Sequence, residues 1–268
     1  MISKCIVFTK PNKVEFAEID LPLPGKGQVI TKTIFSGVST GTETRVLRGG
    51  EVDSFPLIPG YENVGEIVEI GQDVNLNIGD IVYAGSSEYT GKFFKCWGAQ
   101  TEYALVNAEN LIPLPFGLDP AAGLYAKVGG IALHGINRAN INEKDTVAVV
   151  GLGLIGNLAA QCAKAKGAMV IGIDKDEARI NVARQSGLDF LLDANNNIEK
   201  KVKEISNSGV DVAIDVTGIA NTVDKTARLV HTKPWTPPYP PSARIVLLGS
   251  YSQPVTFTYH PTLFQNEP

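Results

Sequence analysis

Val147-Ala148-Val149-Val150-Gly151-Leu152-Gly153-Leu154-Ile155-Gly156, running on into Asn157-Leu158-Ala159-Ala160, is the stretch that decides the fold. Val147–Val150 is wholly apolar and reads as a short strand buried on both faces of a parallel sheet. Asn157–Ala165 reads as a helix, and the glycines between them have the spacing G-x-G-x-x-G, directly after a strand and opening a helix. Each glycine has its own physical reason. Gly151 permits the tight turn, Gly153 lets backbone approach a pyrophosphate, and Gly156 lets the helix pack close to the strand. The helix N-terminus offers free N–H groups and a positive dipole end to phosphates. Gly151, Leu152, Gly153, Leu154, Ile155 and Gly156 are therefore candidate dinucleotide-binding residues.

Outward from this turn the pattern continues. Met169–Ile173 reads as the next strand and leads to Asp174, 174 − 156 = 18 residues after the last glycine. A carboxylate there can accept hydrogen bonds from both ribose hydroxyls and repels a 2′-phosphate, which favours NAD over NADP. Lys175 and Arg179, close by, soften that preference. A helix over Glu177–Gln185, strands at Phe190–Leu192, Val210–Asp215 and Arg244–Leu248, and helices around Ile198–Ile205 and Ala220–Val230 complete an alternation of strand and helix. Repeated β-α-β units require right-handed crossovers and helices on both faces of the sheet. Thr217-Gly218 and Leu248-Gly249 follow two of these strands, at the carboxyl edge where such sheets bind ligands, and join the candidate cofactor-binding set. Lys233–Ser242 holds five prolines and reads as a stiff extended loop at the opposite edge.

Toward the N-terminus the character changes. Short β-rich runs (Cys5–Phe8, Val29–Ile34, Val64–Ile70, Ile81–Tyr83, Tyr103–Val106) alternate with Pro and Gly punctuation, as in an irregular β domain. Asp119-Pro120 looks like an N-cap with Pro at the first helical position, and a second helix covers about Gly129–Asn140. These signals predict two domains, 1–120 and 121–268. Across the 268 residues, 24 Lys+Arg against 28 Asp+Glu leave a net charge of −4, which argues against a nucleic-acid partner. With 44% hydrophobic and 19% charged residues, the chain can bury a real core. No apolar run reaches the ~18 residues of a membrane span, and the N-terminus lacks the apolar core of a signal peptide. Three scattered cysteines favour a reducing compartment, so the expectation is a cytoplasmic globular protein.

Further motifs are more specific. Gly79-Asp80 followed by Val82, Gly98-Ala99-Gln100-Thr101-Glu102-Tyr103, Leu111-Ile112-Pro113-Leu114-Pro115 and Pro59-Gly60-Tyr61-Glu62, together with the glycine turn, resemble the medium-chain dehydrogenase/reductase superfamily over nearly the whole chain. The wording SGVSTGTE and PGYE is similar to its bacteriochlorophyllide dehydrogenase-like branch. The resemblance implies an α/β chain, a GroES-like β domain followed by a Rossmann doubly wound parallel sheet. It also implies a substrate cleft facing the nicotinamide, and a homodimer whose sixth strand pairs across the interface. The sequence stops before that sixth strand, and the expectation is a fragment of a longer chain.

The departures from the family pattern bear on chemistry. Where zinc-dependent members place Cys, His and Cys or Glu, this chain has Ser39 or Thr40, Tyr61 and Lys127. A hydroxyl, a phenol and an ammonium do not make a zinc site, which wants thiolate, imidazole or carboxylate. The four clustered cysteines of a structural zinc lobe are also lacking. The reading is a zinc-free, NAD-dependent oxidoreductase moving hydride between nicotinamide and an alcohol or ketone. Lys127 would supply the positive charge, Tyr61 a hydrogen bond, and Thr42 a proton relay, with Glu62 pairing with Lys127 or Arg45. Alternatives are an enoyl or quinone reductase, a non-catalytic dinucleotide sensor, or a metal relocated to Cys96, Glu62 or His134. Inside its helix His134 reads as a packing residue. Leu47, Phe55, Tyr89, Phe93 and Trp97 are candidates for an apolar substrate pocket.

Overall fold

The computed structural model describes residues 1–50, 52, 54–231 and 242–258. The stiff loop expected over Lys233–Ser242 (Ser242 apart) and the chain end Gln265–Pro268 lie outside the described residues. Contacts divide the chain into Met1–Lys127 and Val128–Pro268, so the division falls after Lys127 rather than at the Asp119-Pro120 cap.

In the first unit, β1 (Ile2–Lys10) and β2 (Lys13–Asp20) form an antiparallel hairpin, and Asn12 takes the left-handed conformation (φ 60°) that closes it. Next come β3 (Gln28–Ser36), α1 (Thr42–Leu47), β4 (Leu57–Ile58), β5 (Asn63–Ile70), β6 (Ile81–Ala84), β7 (Phe94–Lys95), β8 (Tyr103–Asn107), β9 (Ile112–Pro113) and α2 (Pro120–Gly123). They build two sheets, β2-β1-β4-β7 and β8-β3-β5-β6-β9. Val7 and Ile58 of the first sheet are fully buried in one cluster with Ile30 of the second, and Val29, Ile67 and Val82 of the second sheet in another, so strand alternation makes β3 apolar on both faces. The sequence reading missed β2 because it is an edge strand, half charged and mostly exposed, with Phe16 on its surface. It missed α1 because six residues are too few to display a helical period. At α2 the Asp119 side chain accepts from the Ala121 N–H with Pro120 at the first helical position, as the cap pattern predicts. α3 (Ala126–Arg138) follows and carries the chain into the second unit. It runs earlier than the predicted Gly129–Asn140, and Asn140, with φ 50°, cannot continue a helix.

The second unit alternates β10 (Thr146–Val150), α4 (Leu154–Ala165), β11 (Met169–Asp174), α5 (Glu177–Gln185), β12 (Phe190–Asp193), α6 (Ile198–Ser206), β13 (Val212–Asp215), α7 (Ala220–Ala227) and β14 (Arg244–Leu247). The sheet order is β12-β11-β10-β13-β14, every pair parallel. The chain runs outward from β10 one way and then returns to β13 on its other side, the doubly wound arrangement expected. Val147, Ala148 and Val149 are fully buried at the sheet's centre. Each such valine is worth about 1.5–3 kcal/mol relative to exposure. Ala159, Ala160 and Ala163 of α4, all fully buried, let that helix lie close against them. From β10 on, boundaries differ from the sequence reading by two residues or more at three places, one of them the end of α7, at Ala227 and not Val230. α4 opens at Leu154, not Asn157, because Gly153 in extended backbone forms its N-cap. Val210 stands outside β13 in an isolated bridge to Val230, beyond the end of α7.

Candidate functional site

Gly151 adopts φ +94°, and a Cβ there would lie 3.1 Å from the Thr217 amide nitrogen. A Cβ on Gly156, inside the first turn of α4, would collide with the Gly151 carbonyl oxygen. Around Gly153 the space is open except for Arg179 Nη1, 4.0 Å from a Cβ position. Leu152 is buried, Ile155 half-buried and Leu154 exposed. Asp174, buried at the end of β11, holds this turn: its Oδ2 accepts from the Leu152 N–H at 2.6 Å and its Oδ1 from the Asp176 N–H at 2.9 Å. Each carboxylate oxygen keeps a lone pair for a further donor. Arg179 Nη1 approaches Asp174 Oδ2 to 3.7 Å, and Lys175 is exposed beside it. An open glycine cradle, a free helix N-terminus and an acceptor at the second strand therefore come together.

At the neighbouring carboxyl ends of β13 and β14 lie Thr217, Gly218, Leu248 and Gly249. A Cβ on Gly249 would sit 2.7 Å from the Gly218 nitrogen, so the two loops touch backbone to backbone. Leu248 packs instead against Gly135 of α3, pointing inward rather than toward a ligand. Sequence reasoning missed the centre of this region, Asp215, which is fully buried and surrounded by hydroxyls of Thr217, Thr222, Thr226 and Tyr251. The available signal was two threonines four apart on α7, one helical face aimed at a strand-end aspartate.

In the first unit Lys127 and Tyr61 do meet. Lys127 Nζ lies 4.3 Å from the centroid of the Tyr61 ring, which is buried and stacks edge-on against Trp97 at 5.2 Å. Lys127 itself is exposed. Ser39 is half-buried and Thr40 exposed; the Ser39 N–H donates to Glu43 Oε2 at 2.5 Å. Thr42 opens α1 with its N–H on Ser39 Oγ, and among the described residues no hydrogen bond joins it to Tyr61 or Lys127. Glu62 is buried against Gly37, where a Cβ would come within 2.7 Å of its Oε2.

Two residues of this region were passed over in the sequence, Glu43 and Gln100. Gln100 Nε2 donates to the Gly37 carbonyl and to Glu43 Oε1, while its Oε1 accepts from Ser36 Oγ. Burial pushes the Glu43 carboxyl above its ordinary range, opposed by the Ser39 N–H and Gln100. Burial, and secondarily Glu43, pushes the Cys96 thiol up as well. Of the candidate pocket residues, Leu47 and Phe55 pack on a core cluster with Phe8, Tyr89 and Phe93 pack on another, and Trp97 meets the Tyr61 ring. His134 is exposed on α3 instead of packed.

Residues 25–116 match the family model of the alcohol dehydrogenase GroES-like domain, and residues 155–266 that of the zinc-binding dehydrogenases. Sorbitol dehydrogenase of Halalkalibacterium halodurans is 32% identical over 241 residues, covering 80% of this chain and 70% of that protein. The chain belongs to the medium-chain dehydrogenase/reductase superfamily. L-Threonine 3-dehydrogenase of Pyrococcus horikoshii is 28% identical over 282 aligned positions, 95% of this chain and 78% of that protein. The structure of 2R,3R-butanediol dehydrogenase from Bacillus subtilis superposes with a TM-score of 0.81 at 22% identity, over 97% of this chain and 80% of that one. This member of the medium-chain superfamily is an oxidoreductase of the alcohol dehydrogenase kind.

Its residues fit a dinucleotide, since the Gly153 cradle and the Asp174 acceptor are built for phosphate and ribose. They do not fit the catalytic zinc of the superfamily. Tyr61, Lys127 and the Ser39-Thr40 hydroxyls are not zinc donors, and among the described residues no three His, Cys, Asp or Glu side chains form a group that could hold a metal. Among the described residues no helix is long and apolar enough to cross a membrane.

Proposed function

We propose that this protein is an NAD-dependent alcohol dehydrogenase or ketone reductase that works without catalytic zinc. The observation that carries the reading is the Lys127 ammonium 4.3 Å over the buried Tyr61 ring, at the positions where zinc-dependent relatives keep metal ligands. When bound, the nicotinamide supplies or takes up the hydride. The developing charge on the substrate oxygen then needs a preorganised cation or donor. Lys127, exposed and free to reach a ligand, supplies the charge, and the Tyr61 hydroxyl supplies the hydrogen bond. In the ketone-to-alcohol direction the Lys127 ammonium gives its proton to the alkoxide oxygen and regains one from solvent, to which it is exposed. Thr42, with no hydrogen bond to Lys127 or Tyr61 among the described residues, would join the relay only through the substrate. Gln100 and Glu43 hold the Gly37–Ser39 turn beside them.

On the cofactor side the α4 N-terminus would hold the pyrophosphate, and Asp174 would accept hydrogen bonds from the ribose hydroxyls. Its buried carboxylate, fixed by the Leu152 and Asp176 amides, disfavours a 2′-phosphate, which supports NAD over NADP. Sorbitol and L-threonine, the substrates named for two relatives, both carry a secondary hydroxyl. A small polar secondary alcohol is therefore the substrate class proposed, and a cytoplasmic setting suits the three free cysteines.

Metal analysis of the purified protein alongside NADH titration tests this. The expected result is NADH binding with no stoichiometric zinc. Stoichiometric zinc, or oxidation of the alcohol only after zinc is added, overturns the zinc-free reading.

A further inference from the structure

We propose that Asp215 is the positioning residue for the nicotinamide half of the cofactor, acting through the loops that follow β13 and β14; this rests on the reading that a dinucleotide binds at the carboxyl edge of the parallel sheet. Asp215 is the last residue of β13 and fully buried. Its Oδ1 accepts from the Thr217 N–H at 3.0 Å, the Thr217 hydroxyl at 2.7 Å and the Tyr251 hydroxyl at 2.7 Å. Its Oδ2 accepts from Thr222 at 2.9 Å and Thr226 at 2.8 Å. Its main-chain oxygen accepts from the Leu248 and Gly249 N–H groups. One residue thus holds both loops, by side chain on one and by backbone and Tyr251 on the other.

Fold stability alone is a poor reason for this arrangement. A buried carboxylate satisfied by hydroxyls gains no stability over well-packed apolar groups, because its desolvation is costly. A fully satisfied polar network does fix one geometry. Here that geometry is demanding. Gly218 has φ +67°, and a Cβ on it would lie 3.0 Å from the Ser250 carbonyl oxygen. A Cβ on Gly249 would meet the Tyr251 hydroxyl at the same distance. The Thr217 amide also abuts Gly151, so the network sets the spacing between these loops and the glycine turn. Burial, then the hydrogen bond and charge of Asp215, push the Tyr251 hydroxyl well above its ordinary range, which keeps it a donor at working pH. The other members, Thr222 and Thr226, lie one turn apart on α7 and face the same carboxylate.

The test compares Tyr251→Phe and Asp215→Asn with the unmodified chain, measuring Kd by calorimetry for NADH and for ADP-ribose, which lacks the nicotinamide ring. The unmodified chain is expected to bind both. Tyr251→Phe should weaken NADH about tenfold, as expected for the loss of one hydrogen bond to a charged group, while leaving ADP-ribose unchanged. Asp215→Asn should move NADH further in the same direction. Should Asp215→Asn fail to fold, Tyr251→Phe decides. Equal weakening of both ligands, or of neither, overturns the positioning role. If the unmodified chain binds neither ligand, the dinucleotide reading itself falls.

Discussion

Lys127 and Tyr61 stand closer to each other than their sequence separation suggests, and their contact has a definite energetic meaning. An ammonium over the face of a phenol ring at 4.3 Å gains about 0.5–1 kcal/mol when exposed, so it orients Lys127 without committing it. The same charge, turned to a substrate oxygen in a site closed to water, is worth far more. Lys127→Ala is therefore expected to lower kcat by roughly 10²-fold while NADH binding stays unchanged, and Lys127→Arg to restore part of the rate. Stopped-flow hydride transfer with a fluorescence titration for NADH separates the two effects; intact turnover in Lys127→Ala would remove Lys127 from the chemistry. Asp174 makes a second residue-level case. Serine at 174 cannot reach the Leu152 N–H as the carboxylate does, and it no longer repels a phosphate that Arg179 stands ready to receive. Asp174→Ser should weaken NADH about tenfold and lower the ratio of NADPH to NADH dissociation constants. An unchanged ratio would show that cofactor choice lies elsewhere.

Elements are held by short polar links as well as by apolar faces, and one link predicts a pH dependence. Asp189, just before β12, accepts from Lys164 Nζ of α4 at 2.6 Å and from the Val170 N–H of β11 at 3.0 Å. Burial works to raise its carboxyl, but Lys164 and the amide outweigh it and hold the group below its ordinary value of 3.8. A depressed acid contributes stability that is present above the unfolded pKa and lost as pH falls through the folded one. Asp189→Asn should cost about 1 kcal/mol or less at pH 7, given its partial exposure, and the cost should shrink toward pH 3 in paired urea titrations. A cost that is the same at both pH values would assign it to packing. The parallel sheet was legible because Val147–Val150, the three glycines and Asp174 obey spacing rules that backbone geometry imposes. The Asp215 cluster was not, because its donors at 217, 222, 226 and 251 converge only once β13, α7 and the loop after β14 are in place. Glu43 and Gln100 escaped for a related reason: buried polar residues in a turn carry no period. The candidate pocket residues divide between two packing clusters and the Tyr61 ring because burial in a core and lining of a site ask for the same side chains.

At the scale of the whole molecule, the zinc-free, NAD-binding reading says which small molecule stabilises the fold and which does not. A ligand that binds only the folded chain adds RT ln(1 + [L]/Kd), about 2.7 kcal/mol at a hundredfold excess over Kd. For a chain of this length that corresponds to a rise in Tm of roughly 5–10 °C. A structural or catalytic metal acts by the same linkage, and its removal lowers Tm by the reverse argument. On the zinc-free reading, with hydroxyls, Tyr61 and Lys127 in place of zinc ligands, a chelator would have nothing to remove, whereas NADH would be held at Gly153 and Asp174. Thermal unfolding of one preparation with saturating NADH, with EDTA, and with both should show the rise from NADH, no fall with EDTA, and the NADH rise undiminished when both are present. A Tm that drops with EDTA and recovers with zinc would mean that the metal has been rebuilt from other side chains. The polar trio would then be scaffolding around it and not its replacement.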